Sequence, residues 1–197
     1  MKVVIADYGV GNLYSISKGL ERAGAETEIV SDMRRLLGAE CVVFPGVGAF
    51  GAAMDALRPV AAQLRDMVAG GVPTLGICLG MQILFERSEE SAGRGLSVLS
   101  GEVKKLKAQR IPQMGWNDVV WRNDALFDGV RAGSQFYFAN SYVCHPLEDI
   151  GVAITEYEES FPSAVRKGMI VGVQFHPEKS GVPGLKLLSN FISLAEG

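Results

Sequence analysis

Val72-Pro73-Thr74-Leu75-Gly76-Ile77-Cys78-Leu79-Gly80-Met81-Gln82 is the stretch from which the fold of this chain can be read. Val72 to Leu75 reads as a short buried strand, running on to Ile77, and Met81-Gln82-Ile83-Leu84-Phe85 as an apolar helix start. Between them, Gly76-Ile77-Cys78-Leu79-Gly80 has the Gly-x-nucleophile-x-Gly spacing of a nucleophile elbow, with cysteine where many hydrolases carry serine. Such a turn holds the nucleophile in a strained conformation at a sheet edge. Small residues two positions either side let neighbouring backbone approach. A helix that begins at the nucleophile favours thiolate over thiol through its dipole. A buried structural cysteine in a Gly-flanked turn has the same local pattern, so the elbow alone leaves both readings open.

A base can be sought among only two histidines. His145, in Cys144-His145-Pro146-Leu147, reads as a loop residue. His176 follows Val171-Gly172-Val173-Gln174-Phe175, which alternates like a strand with one buried face, and Pro177 ends that strand. This places His176 at a strand end, where α/β proteins carry their ligand sites. Glu178, two residues on, can accept a hydrogen bond from one ring nitrogen while the other faces the thiol. Cys78, His176 and Glu178 then form an activated nucleophile in the order nucleophile, histidine, acid. A strand-end histidine hydrogen-bonded to backbone is the alternative for His176 taken alone.

Working outward, strands and helices alternate through the first half. Strands are predicted at 3–6, 26–30, 41–44 and 74–77, and helices at 12–23, 49–57 and 60–69. This order predicts an α/β protein with a parallel, doubly covered sheet. The second half is richer in strand, with candidates at 102–106, 118–121, 135–138, 152–156, 163–166 and 169–174, and an amphipathic helix at 185–194. Residues 86–95 read as a polar loop near the elbow.

At 197 residues the chain is most simply one domain, residues 1–197, long enough for a substantial core. A net charge of −3 with no long basic run argues against a nucleic-acid surface. Cys41, Cys78 and Cys144 are odd in number and far apart, so neither a disulfide framework nor, with two unrelated histidines, a metal site is indicated. The first apolar run, Val3-Val4-Ile5-Ala6, is too short for a signal peptide, and nothing approaches a membrane span. A cytoplasmic location, where a free thiol survives, is expected.

Attack on an amide creates an oxyanion, which needs fixed donors. Pro45-Gly46-Val47-Gly48 follows a predicted strand, and its glycines let N–H groups of Val47 and Gly48 turn toward a ligand beside the amide of Leu79. A plain turn is the alternative. Asp7-Tyr8-Gly9-Val10-Gly11-Asn12 invites a dinucleotide reading but lacks the third glycine, so no cofactor is expected. Gln82, one turn past Cys78, lines a pocket or sits on a solvated helix face. Gln113-Met114-Gly115-Trp116-Asn117 reads as a turn, either a packed corner or a docking surface. Arg34-Arg35 and Lys104-Lys105 read as solvated.

Two of these segments, Gly76-Ile77-Cys78-Leu79-Gly80-Met81-Gln82 and Gln174-Phe175-His176-Pro177-Glu178, resemble the class I, triad-type glutamine amidotransferases. The resemblance covers nearly the whole length. Within the class, the chain is similar to the glutaminase subunits of imidazole glycerol phosphate synthases. That narrower likeness rests on Tyr8-Gly9-Val10-Gly11-Asn12-Leu13, Pro45 to Phe50, Pro112 to Asn117, Tyr137 to Tyr142 and His176 to Ser180.

The resemblance implies a three-layer sandwich with a mostly parallel central sheet flanked by helices. It implies that Cys78 attacks the carboxamide of L-glutamine, that His176 shuttles the proton, and that Glu178 orients His176. Gly48, Gln82 and Ser141 would contact the glutamine, and Glu90 its amino group, although Glu86 and Glu89 lie in the same segment. The strand Pro45 to Gly48 would switch a peptide orientation on activation, and glycines flanking Val47 would ease that flip. Asn140 stands where such proteins often carry histidine.

A chain filled by a glutaminase domain has no room for a synthase. The resemblance implies delivery of ammonia to a partner, the cyclase subunit of the same synthase, a (β/α)8 barrel, with Asn12, Trp116 and Lys179 at the interface. A glutaminase serving another synthase, a stand-alone hydrolase and a non-catalytic binding module are the alternatives.

Overall fold

The computed structural model describes residues 1–9 and 12–197. Val10 and Gly11, the centre of the segment weighed for dinucleotide binding and for family likeness, lie outside the described residues.

Eight strands form the main sheet. In chain order they are β1 (Lys2–Ala6), β2 (Glu26–Val30), β3 (Val42–Phe44), β4 (Thr74–Ile77), β9 (Val120–Trp121), β12 (Gly151–Tyr157), β13 (Glu159–Lys167) and β14 (Ile170–Val173). Their spatial order is β2-β1-β3-β4-β14-β13-β12-β9. Pairing is parallel from β2 to β14 and antiparallel from β14 to β9. The sheet is therefore mostly parallel, as expected, with an antiparallel wing supplied by the second half of the chain.

Helices cover both faces. Along β1, Val3 and Ile5 point to one core, shared with Ile16 and Leu20 of α1 (Leu13–Arg22) and Leu187 and Phe191 of α5 (Gly181–Glu196). Val4 and Ala6 point to the other core, with Leu57 of α2 (Phe50–Leu57) and Leu64 and Val68 of α3 (Ala61–Ala69). Strands β3, β4 and β14 are buried at every position because both faces of the sheet are covered, and apart from Thr74 their residues are apolar or glycine. The alternating pattern read before His176 is corrected accordingly. Gly172 faces Met81 so closely that a Cβ there would lie 2.7 Å from its Cγ.

Two smaller sheets stand beside this sandwich. β8 (Gln113–Asp118) pairs with β10 (Gln135–Asn140), while β11 (Tyr142–Pro146), β7 (Gly101–Lys105), β5 (Arg87–Ser88) and β6 (Ser91–Arg94) form the other. Three local expectations are corrected here. Residues 113–117 are strand, not turn, and pair with residues 136–140. His145 lies in β11, opposite Glu102, not in a loop. Residues 86–95 hold the β5–β6 hairpin.

The helix after the elbow is also shorter than expected. α4 is one turn, Leu79–Gln82. The carbonyls of Ile83, Leu84 and Phe85 accept from the amides of Leu96, Leu99 and Ser97, so they do not continue an i to i+4 ladder.

Candidate active site

β3, β4 and β14 are neighbours and parallel, so their C-terminal ends open on one edge. β4 delivers Cys78, whose N–H donates to Val173 O at 2.7 Å. β14 delivers Gln174, Phe175 and His176. β3 delivers Pro45 to Gly48. Three segments far apart in the chain meet at the crevice where open α/β sheets bind ligands.

Cys78 has φ 51° and ψ −104°, a backbone strained for a non-glycine residue. Holding it there costs about 1–3 kcal/mol, which the fixed strand and turn must supply. Its neighbours must be small. A Cβ on Gly76 would meet Gly80 O at 2.5 Å, and one on Gly80 would meet Phe44 O at 1.9 Å. The elbow expected from spacing is thus present.

His176 and Glu178 are buried, with side chains 1% and 2% exposed. One turn of 3-10 helix, Pro177–Lys179, folds the chain back so that Nδ1 of His176 meets Oε1 of Glu178 at 2.9 Å. Nε2 of His176 has no partner with hydrogen-bond geometry among the described residues. Burial pushes the His176 pKa down, but the nearby sulfur of Cys78 and the hydrogen bond and charge of Glu178 outweigh it and raise the pKa to about 9. At neutral pH the imidazole therefore holds its proton beside the sulfur. The other two cysteines are inert: burial raises Cys41 to about 12, and burial followed by the charge of Cys78 raises Cys144 well above a free thiol.

The expectation that a helix dipole supports the thiolate is corrected by the length of α4. One turn aligns too few peptides for a full macrodipole. Its first amide, that of Leu79, still lacks an intrahelical acceptor and adjoins Cys78.

Gly46 and Gly48 serve different purposes. A Cβ on Gly46 would lie 2.6 Å from Ile77 O and 3.1 Å from both Cys78 Cβ and His176 Cε1. Gly46 is the space in which nucleophile and base approach. Gly48 has φ +119°, which L side chains rarely adopt. The expectation that both glycines flanking Val47 ease a peptide flip is corrected for Gly46, whose place is set by close packing. The hydroxyl of buried Tyr8 donates to Pro45 O and anchors this segment, which follows β3 as irregular chain, not strand.

A cavity of about 200 Å³ opens beside Cys78. Val47, Gly48, Leu79, Gln82, Glu90 and Ser141 all line it, so every residue assigned to oxyanion or glutamine contact is brought together. Glu90 is distinguished from its neighbours by where it points. Glu86 accepts from Gly101 N and Glu89 from Lys105 N, whereas Glu90 reaches the cavity and accepts from Phe50 N at 2.8 Å. Asn140 also lines it, with Nδ2 donating to Tyr142 O at 3.2 Å and Oδ1 buried without a partner among the described residues.

Comparison with known proteins agrees with this geometry. The profile of the family "Glutamine amidotransferase class-I" matches residues 4–194. The chain belongs to the class-I glutamine amidotransferases. It is 45% identical over 196 residues to imidazole glycerol phosphate synthase subunit HisH of Thermococcus kodakarensis, covering 96% of this chain and 98% of that one. It is 46% identical over 193 residues to the subunit of the same name from Methanocaldococcus jannaschii, with the same coverage. A solved structure titled as a glutamine amidotransferase superposes with a TM-score of 0.79 at 22% identity over 99% of each chain, a likeness of fold.

Two of the three residues expected at a partner contact, Trp116 and Lys179, cluster around Tyr137. Trp116, 54% exposed, stands edge-on to Tyr137 with ring centroids 6.2 Å apart. Lys179 Nζ lies 5.6 Å above the same ring. Tyr137 in turn is 6.5 Å from the His176 ring, and its carbonyl accepts from His176 N at 2.8 Å. Trp116 and Lys179 thus meet through Tyr137, which sequence reasoning named only within a segment. Asn12 is exposed, and its side chain caps α1 by accepting from Ser15 N.

Gln174 was also passed over. It is fully buried, and its Nε2 donates to Cys78 Sγ at 3.3 Å. Its place two residues before His176 was the available signal.

Proposed function

We propose that this chain is the glutamine-hydrolysing subunit of an imidazole glycerol phosphate synthase, acting in histidine biosynthesis through Cys78, His176 and Glu178. The observation that carries the reading is the buried Cys78–His176–Glu178 arrangement, of which Cys78 lines the cavity. Near full-length identity to subunits of that name supports the synthase assignment.

The thiolate of Cys78 attacks the carboxamide carbon of glutamine, and the carbonyl oxygen becomes an oxyanion facing the amides of Val47, Gly48 and Leu79. The C–N bond breaks as protonated His176 gives its proton to the departing nitrogen, releasing ammonia and leaving a thioester. Water then attacks the thioester, and His176 accepts its proton. Glutamate leaves, and the pair returns to thiolate and imidazolium. Glu178 holds the ring and steadies its charge throughout. Gln82, Ser141 and Glu90 hold the glutamine, with Glu90 facing its amino group.

The ammonia passes to the cyclase subunit, which makes imidazole glycerol phosphate and aminoimidazole carboxamide ribonucleotide. Asn12, Trp116 and Lys179 face that partner. A single amidotransferase domain spans residues 1–197. Among the described residues no helix is long and apolar enough to cross a membrane, and biosynthetic chemistry of this kind supports a cytoplasmic location.

A glutamine-like electrophile, a diazoketone analogue, tests the assignment. Mass spectrometry is expected to find one adduct, on Cys78, blocked by excess glutamine. An inert Cys78, or an adduct on Cys41 or Cys144 that glutamine does not prevent, contradicts it.

A further inference from the structure

The sulfur of Cys78 has three polar neighbours. His176 is one, and Ala139 O, 3.8 Å away, can accept only while the sulfur is protonated. The third is Gln174 Nε2 at 3.3 Å, a donor that a thiolate uses far better than a thiol. We propose that Gln174 is a fourth catalytic side chain, whose amide N–H holds Cys78 as the thiolate and whose orientation is fixed from Tyr142 through Gln82. The proposal rests on the glutaminase reading above and adds to it the residue that takes over from the short α4 helix.

The orientation follows from hydrogen-bond arithmetic. The carbonyl of Tyr142 can only accept. Gln82 therefore turns its Nε2 toward it, at 3.1 Å. The same Nε2 lies 3.3 Å from the Gln174 amide, which must present its oxygen there. Gln174 then has its Nε2 left for the sulfur. Reversing Gln174 would set two donors against each other at Gln82 and an oxygen against the thiolate at Cys78. Burial removes water as a substitute for any of these partners, since Gln174 is 0% and Gln82 5% exposed. The backbone is held as well, with Gln174 N donating to Ser163 O at 2.9 Å.

The chain also joins substrate to nucleophile. Gln82 lines the cavity and commits its N–H groups to Tyr142 and Gln174, which leaves its Oε1 as the face offered to a ligand. A ligand that pulls on Gln82 acts on Cys78 through one intervening amide.

The test is the rate of Cys78 alkylation by iodoacetamide across the neutral-to-alkaline range, with Cys78→Ala as blank. Kinetics with glutamine and near-UV circular dichroism accompany it. Gln174→Glu keeps the shape and puts oxygen toward the sulfur, and Gln174→Met removes the donor. Both are expected to slow alkylation at neutral pH by about tenfold and to recover it as pH rises. kcat is expected to fall by about tenfold, with KM changed by less than about twofold. A purely structural role would leave the pH profile in place. Gln82→Met, which loosens Gln174 without touching the sulfur, is expected to slow alkylation in the same direction by about threefold.

Folded Gln174 variants with the wild-type alkylation profile overturn the proposal. If neither variant folds, Gln82→Met decides alone, and an unchanged profile there overturns it. Alkylation needs no turnover. Slowed alkylation in the variants, with wild-type protein that releases no glutamate even beside the liganded cyclase subunit, would keep the role of Gln174 and refute the glutaminase reading.

Discussion

Two side chains that share one proton control the chemistry. His176 is raised to about 9 against the opposing effect of burial, by the nearby sulfur of Cys78 and by the hydrogen bond and charge of Glu178. Removing the thiolate removes the leading contribution that raises it. Cys78→Ser is therefore expected to lower the His176 midpoint from about 9, as read from its ring protons by NMR. An unchanged midpoint would mean that Glu178 alone holds the proton. Departing ammonia needs the protonated imidazole. Glutaminase activity is therefore expected to persist below the His176 midpoint and to fall as pH rises through about 9, in a kcat profile taken at saturating glutamine. At this scale the sequence was legible for Cys78, His176 and Glu178, because spacing along one segment carries that information. Gln174 and Tyr137 are less legible, because their partners Cys78, Gln82 and Trp116 lie on other segments of the chain and only the closeness of Gln174 to His176 marks either of them.

At the scale of elements, the elbow works because strand, turn and neighbouring loop leave no room for a side chain. Gly46→Ala would push a methyl to 2.6 Å from Ile77 O and 3.1 Å from His176 Cε1. It is expected to destabilise the fold by about 1–3 kcal/mol and to lower glutamate release by at least about a hundredfold. Gly71→Ala is the control. Its φ is +102° but nothing lies within 4 Å, so stability should fall by about 1–2 kcal/mol with the specific activity retained. Equal activity in the two variants would contradict the packing role of Gly46. The parallel half of the sheet was readable because helices separate its strands. Helix α4 is shorter than its apolar run suggests because residues 95–99 take the carbonyls of residues 83–86 that would continue it, a contact that no periodicity reports. The strand β8 was taken for a turn because Gly115 and Asn117 are turn formers. Its pairing with β10 overrides that preference.

For the whole molecule, the arrangement puts the reacting edge and an exposed aromatic cluster on adjoining elements. Trp116 touches Tyr137, and the carbonyl of Tyr137 accepts from the amide of His176. Trp116→Ala is expected to weaken association with the cyclase subunit by about tenfold or more in titration calorimetry. Thermal stability should change little, because half of the indole already faces water. Unchanged affinity would place the interface elsewhere. The sequence alone gave the division of labour only through family likeness, since no composition or spacing within one chain reports the shape of another. The most direct measurement is glutamate release from glutamine by wild type and Cys78→Ala, each alone and mixed with the cyclase subunit and its nucleotide ligand. The account predicts weak release alone, strong release with the liganded partner, and none from Cys78→Ala. Full release without a partner would contradict the partner-dependent account, and release that survives in Cys78→Ala would contradict the assignment of the site.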